Sequence, residues 1–255
     1  MYDTEIDLTD ENNVHTQQIR LVGSNRSVLE VGPARGYVTR ELSKMGCRVT
    51  CIEINPEIAS IAERFCEQMI VGDVEKIDLD ETLRSKRFDV VLLGDILEHL
   101  REPQKVLKTL TKFLNPSGYV VATIPNVAHG SVRLLLLMGR FDYGPSGLLD
   151  STHLRFFTRE TMKELFRNAG LHIVEVKDIK CEIFSAPDIM LNPKDFPEEL
   201  IDSIRQDPDA TTYQFAVKAK PLSTEPPLVE ARRFVDPIAG LREIIRRKDD
   251  YIGNL

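Results

Sequence analysis

VLEVGPARG, residues 28–36, carries more structural information than any other stretch of this chain. A run of apolar residues leads into a turn holding two glycines, and an amphipathic segment follows. We read a buried strand over 27–31 and a helix over 36–45 opened by glycine. Such a unit brings backbone amides close to a ligand at the carboxyl ends of the strands of a sheet. Gly32 allows close approach and Gly36 lets the helix pack tightly. The spacing is not GxGxxG, so the dinucleotide fingerprint is not met.

Outward from this unit the same alternation continues. Further strands are expected over 48–54, 69–71, 88–93 and 119–124, and helices over 56–67 and 103–114. Val106, Leu107, Leu110 and Leu114 share one face of the second of these helices. Strands alternating with helices imply an α/β protein with a parallel sheet covered on both faces. Past residue 125 the pattern loosens. We expect a short helix over 132–138, a loop over 141–147 and a helix over 158–168. Thr158 would cap that helix, with Thr161 in place of the usual Glu or Gln of a capping box. A strand over 171–176 precedes a Pro- and Asp-rich insertion, 181–210, with one helix over 197–205. A last strand covers 213–219, a linker 221–227 and a charged amphipathic helix 229–252.

The 255 residues are 42% hydrophobic and 29% charged, enough to build a real core. Lys and Arg number 33 against 40 Asp and Glu, a net charge of -7. That balance argues against nucleic acid as a partner, since phosphate binding needs clustered cations. The apolar stretch 134–138 is too short to span a bilayer, so no membrane insertion is expected. The N-terminus is acidic and lacks the features of a signal peptide. Four cysteines, Cys47, Cys51, Cys66 and Cys181, show neither CxxC spacing nor the density of a disulfide framework. The reading is of a reduced, cytoplasmic protein.

Three positions at strand ends suit a nucleoside. Glu53 can accept hydrogen bonds from both hydroxyls of a ribose, Ile54 can stack on a purine, and Asp73 can meet an adenine amino group. Glu30 lies inside a buried strand, where an unpaired carboxylate is expensive. It would anchor the turn or the ammonium of a ligand.

Taken together, VLEVGPARG, CIEINPE, GDVE, FDVVLLGDILEHL and LNPSGYVVATIPN resemble the class I S-adenosylmethionine (SAM)-dependent methyltransferases. The resemblance spans roughly residues 27–219, with Ala34 standing where the family has a central glycine. It implies a Rossmann-like, doubly wound, seven-stranded mostly parallel sheet with helices on both faces and the last strand antiparallel. It also implies SAM as cofactor, held by Glu30, Gly32, Pro33, Ala34, Gly36, Glu53, Ile54, Asp73, Val74 and Gly94. The expected organisation is a cap segment, 1–26, a methyltransferase domain, 27–220, and a linker with a helix, 221–255. That helix offers a surface for self-association or for a fused domain.

Methyl transfer from a sulfonium is an in-line displacement, so the protein mainly orients the acceptor and manages its proton. A hydroxyl acceptor calls for a base or a metal. His99, His129 and His153 are expected to converge on the carboxyl edge of the sheet and, with Asp95, to carry the chemistry. His15 belongs to a segment that covers the site in this fold, and its role stays open. His172 reads as structural. The block 124–158 resembles a branch associated with glycosyltransferases and surface-polysaccharide assembly, which implies a sugar-containing small molecule or glycan as acceptor. Arg133, Arg140, Tyr143 and Arg155 could grip an anionic group on it. Asp95, Glu98, His99 and His153 resemble the metal ligands of small-RNA terminal 2′-O-methyltransferases, so magnesium or manganese is the minor alternative. Two rivals to O-methylation are N-methylation of an aminosugar or other amine, and cofactor binding without catalysis.

Overall fold

The apolar runs become seven strands of one sheet, in a computed structural model that describes residues 6–222. They are β1 (Ser27–Val31), β2 (Arg48–Glu53), β3 (Gln68–Val71), β4 (Phe88–Gly94), β5 (Leu114–Pro125), β6 (Leu171–Lys180) and β7 (Thr212–Pro221). Their order is β3-β2-β1-β4-β5-β7-β6. The first five run parallel, and β7 lies antiparallel between β5 and β6. The expected fold class is the one observed.

Among the described residues, α1 (Val14–Val22) precedes the sheet, and α2 (Tyr37–Lys44), α3 (Pro56–Ala62), α4 (Leu79–Leu83), α5 (Pro103–Leu110), α6 (Gly130–Leu137), α7 (Arg159–Asn168) and α8 (Glu198–Arg205) lie in the connections between strands. The strands are apolar on both sides because both sides are covered. Leu29 and Val31 of β1, Val91 and Leu93 of β4, and Val120 and Ala122 of β5 join one core, with Leu107 of α5 and Phe166 of α7. Their neighbours Val28, Val90, Leu92 and Val121 turn to the other face and meet Ile19 of α1 and Leu42 of α2.

Several boundaries differ from the sequence reading for identifiable reasons. The helices expected to reach 67 and 114 tighten into 3₁₀ turns at Glu63–Phe65 and Thr111–Phe113. The strand expected from 119 begins at Leu114, which pairs with Phe88 before the register shifts around the NPSG turn. β6 runs four residues beyond its apolar stretch because pairing with β7 continues to Lys180 opposite Thr212. Thr161 completes the capping box with its hydroxyl, which accepts the Thr158 amide at 2.9 Å. The helix expected over 229–252 lies outside the described residues. Among those described, no helix is long and apolar enough to cross a membrane.

Residues 126–157 and the insertion 181–210 build a small lobe at the carboxyl end of β5. Its apolar centre holds Val132 and Leu135 of α6 against Leu148, Leu149, Ala186 and Ile189. Asp188 ties the lobe to the sheet, accepting the Leu148 amide and the Tyr213 hydroxyl, each at 2.6 Å. Gly147 sits at φ +89, and a Cβ there would lie 2.3 Å from the Asp188 carboxyl group. Gly147→Ala therefore combines left-handed strain with displacement of a charged acceptor. It is expected to lower unfolding free energy by about 2 kcal/mol, read as a drop in urea midpoint at unchanged slope. An unchanged midpoint would show that Asp188 does not tie the lobe down.

Candidate active site

The carboxyl ends of β1, β2, β3 and β4 surround a cavity of about 900 Å³. Gly32 closes β1 with its amide on the Ile52 carbonyl, at 2.8 Å and φ +68. A Cβ at that position would meet Ile96 Cδ1 at 2.1 Å, so only glycine lets the β4 end come this close. Of the expected cofactor contacts, Glu30, Gly32, Pro33, Ala34, Glu53, Ile54, Asp73, Val74 and Gly94 line this cavity. Gly36 does not. It starts α2 and packs against Ala62 and Phe65, a helix-packing role.

Each carboxylate here has a distinct environment. Glu53 ends β2 nearly buried, with Oε1 accepting the Asn55 amide at 2.9 Å. Ile54 beside it is 64% exposed, an apolar surface held at the cavity wall. Asp73 accepts the Glu75 amide and pairs with Lys76 at 2.8 Å, so it shapes its own turn as well as lining the cavity. The Lys76 partner holds its carboxyl below the usual carboxylate range. Glu30 accepts the Thr39 hydroxyl at 2.7 Å and lies close to the Cys51 thiol, and burial pushes its carboxyl up to about 7.

Loss of the Glu53 carboxylate is expected to weaken SAM binding by about 2 kcal/mol, roughly 30-fold. Titration calorimetry with S-adenosylhomocysteine (SAH) on Glu53→Ala checks this. Unchanged affinity would remove Glu53 from the ribose.

The opposite end of the cavity carries different chemistry. Asp95 leaves β4 at φ +52, with its Oδ1 accepting the Thr123 hydroxyl at 2.9 Å and the Gln214 amide at 3.1 Å. Desolvation raises its carboxyl. His99 lines the cavity and keeps Nδ1 near the Thr152 hydroxyl at 3.2 Å. His153 stands 4.8 Å from it, ring centre to ring centre. The two are joined because the Leu154 and Arg155 amides bond the Glu98 carbonyl. The Glu98 side chain is 1% exposed, and neither of its oxygens has a hydrogen-bond partner. Burial, with Asp95 adding to it, raises Glu98 well above the usual range. Candidate ligand atoms of Glu98, His99 and His153 lie within 4.8 Å of one another.

His129 goes elsewhere. It caps α6, fully buried, between the Ser131 hydroxyl at 2.8 Å and the Cys181 carbonyl at 2.9 Å. It is not among the residues lining the cavity, and burial lowers its pKa. Of the three histidines expected to converge, His99 lines the cavity, His153 meets His99 without lining it, and His129 does neither. Arg133 pairs with Asp207, Arg140 with Asp142, and Arg155 bonds the Arg101 carbonyl, so these guanidinium groups are engaged within the chain. The sequence reading left out Gln18 and Tyr37, which line the cavity beside His15. The available signal was the i, i+3 spacing of His15 and Gln18 behind a capping Asn13.

Comparison with known proteins follows the same lines. The profile of the family described as "Methyltransferase domain" matches residues 16–176, and the chain belongs to that family. The ubiquinone biosynthesis O-methyltransferase of Coxiella burnetii is 25% identical over 172 residues, covering 64% of this chain and 70% of that protein. The protein of the same name from Xanthomonas axonopodis pv. citri is 24% identical over 168 residues. A SAM-dependent methyltransferase from Archaeoglobus fulgidus has a similar structure, with TM-score 0.58 and 20% identity over 84% of this chain and 94% of that one. The N-methyltransferase NodS from Bradyrhizobium japonicum, solved with SAH, gives TM-score 0.52 and 18% identity over 84% and 90% of the two chains. This protein is a SAM-dependent methyltransferase.

Proposed function

We propose that the enzyme methylates a hydroxyl group, with a sugar-containing small molecule or glycan as acceptor. The observation that carries this reading is the pair Asp95 and His99 in the cavity wall, with Glu98 and His153 packed against His99 outside the lining. An amine needs only to arrive neutral, whereas a hydroxyl must lose a proton as the methyl group moves. A phenol near pKa 10 needs less help than a sugar alcohol, so such dense provision suits the less acidic acceptor. The O-methyltransferase names of the curated relatives support oxygen as the nucleophile.

In the transfer, an acceptor oxygen attacks the methyl carbon in line with the carbon–sulfur bond. The bond electrons pass to sulfur and leave SAH. Glu53, Ile54 and Asp73 hold the nucleoside and Glu30 the methionine end. The glycine turn lets the cofactor approach the sheet, and His99 and Asp95 border the acceptor.

The unpartnered, buried Glu98 carboxylate beside two imidazoles also fits a divalent cation, magnesium or manganese. Glu98, His99 and His153 would hold it, with Asp95 across the cavity end. Such a cation lowers the pKa of a bound hydroxyl.

The test is label transfer from methyl-labelled SAM to a methyl rhamnoside, catechol, glucosamine and fractionated extract of the source cells, with and without chelator. We expect label on a sugar hydroxyl or in a glycan fraction, and less of it with chelator. Label on catechol alone moves the acceptor to phenols, and label on nitrogen overturns O-methylation. Label only in protein or RNA overturns the glycan acceptor. No label in any fraction, with SAM bound, removes the support for a sugar or glycan acceptor.

A further inference from the structure

His15 enters the cavity from outside the sheet, on the first turn of α1, where Asn13 caps the helix by accepting the His15 and Thr16 amides. The ring is half-buried and rests edge-on against Tyr37, centre to centre 4.9 Å. Its Nδ1 lies 3.4 Å from Gln18 Oε1. Gln18 in turn reaches Thr123 through Nε2, at 2.8 Å. A Cβ on residue 94 would lie 2.6 Å from that Nε2, so Gly94 makes room for the Gln18 amide.

This chain of contacts fixes where protons sit. Thr123 has one hydroxyl proton, and it goes to Asp95 Oδ1 at 2.9 Å. The Thr123 hydroxyl oxygen itself already accepts the Asp95 amide at 3.0 Å. Whatever Gln18 presents to Thr123 must therefore donate, which assigns NH₂ to that side and the carbonyl oxygen to His15. An amide carbonyl only accepts, so His15 Nδ1 must carry the hydrogen. The remaining lone pair is on Nε2. Relays of this kind orient a histidine that works as a base, as a carboxylate does in hydrolytic triads.

We propose that His15 is the general base of the reaction and takes the acceptor hydroxyl proton on Nε2. The inference rests on the hydroxyl reading above. As the new carbon–oxygen bond forms and the carbon–sulfur bond breaks, the sulfonium charge is lost and an equal charge appears on the His15 imidazolium. Asp95, whose field reaches His15, opposes that charge. The groups facing this end are Tyr37 from α2, Asp95 and His99 from the segment after β4, and Glu30 from β1 behind Tyr37. His99 belongs with Glu98 and His153, which leaves His15 as the cavity-lining imidazole outside that group.

Two measurements on the full chain test this, the first with SAH bound and the second with SAM as methyl donor. In histidine ¹⁵N spectra, His15 is expected as the neutral Nδ1–H tautomer, with Gln18→Leu shifting it toward Nε2–H. An Nε2–H tautomer in the wild type, or one indifferent to Gln18→Leu, overturns the proposal. In label transfer to the acceptor fraction that takes label, His15→Ala is expected to lose about 100- to 1,000-fold in kcat. SAH affinity should stay within about twofold, with part of the rate restored by added imidazole. A wild-type kcat, or a loss matched by weaker SAH binding, also overturns it. If no fraction takes label, the hydroxyl reading fails by itself and the tautomer still decides the place of His15.

Discussion

Glu98→Leu is expected to make the metal-free protein more stable while lowering methyl transfer by at least about 100-fold, the upper end for outer-shell partners of a metal. The wild-type carboxylate is buried with both oxygens unpartnered. Removing an unsatisfied polar group of this kind returns about 1–3 kcal/mol. Its pKa is raised in the folded state. The wild type therefore carries no charge penalty below the unfolded value near 4.5 and loses stability as pH climbs toward the folded one. The gap between variant and wild type should widen with pH in urea titrations, and excess magnesium or manganese should close it by stabilising the wild type alone. A variant less stable than wild type at every pH would show that Glu98 has a structural partner.

A second carboxylate gives the same sign with a defined window. Glu30 moves from 4.5 to about 7 through burial. That difference is about 3 kcal/mol of folded-state preference for the protonated form, fully present below pH 4.5 and lost as pH rises through 7. Glu30→Gln keeps an acceptor for Thr39 and removes the ionisation. Between pH 5 and pH 8 its stability relative to wild type should improve by about 2.5 kcal/mol. Parallel pH profiles for the two proteins would show that Glu30 ionises freely. Because the group lines the cavity, saturating SAM is expected to reduce the difference by pairing its ammonium with the ionised carboxylate.

The strands were legible because burial on both faces makes them continuous apolar runs, which a single sequence displays. The glycine turn and Glu53 were legible for a related reason: each sits at a strand end, and strand ends follow from the runs. α1 was not read. Its QQIR core is polar, and its support comes from packing against β4, β5 and β7 rather than from its own pattern. His15 and Gln18 were hidden with it. His129 and His153 both lie in loop stretches between β5 and α7, yet one caps a helix and the other joins His99. Only the path of the lobe separates them. That Glu98 is unpartnered is a statement about every neighbour at once, and no linear motif holds it.

The place of β7 sets an order of assembly on the ribosome. Asp95 is held by Gln214, and the open edge of β5 from Val120 to Pro125 is covered by residues Gln214 to Ala219. The nucleoside half of the cavity needs only the first hundred residues and can close while synthesis continues. The half that meets the acceptor waits until residues past 214 have cleared the exit tunnel. A nascent chain arrested near residue 200 should already hold SAH yet transfer nothing. Cofactor capture is then expected to precede catalytic competence in the life of each molecule.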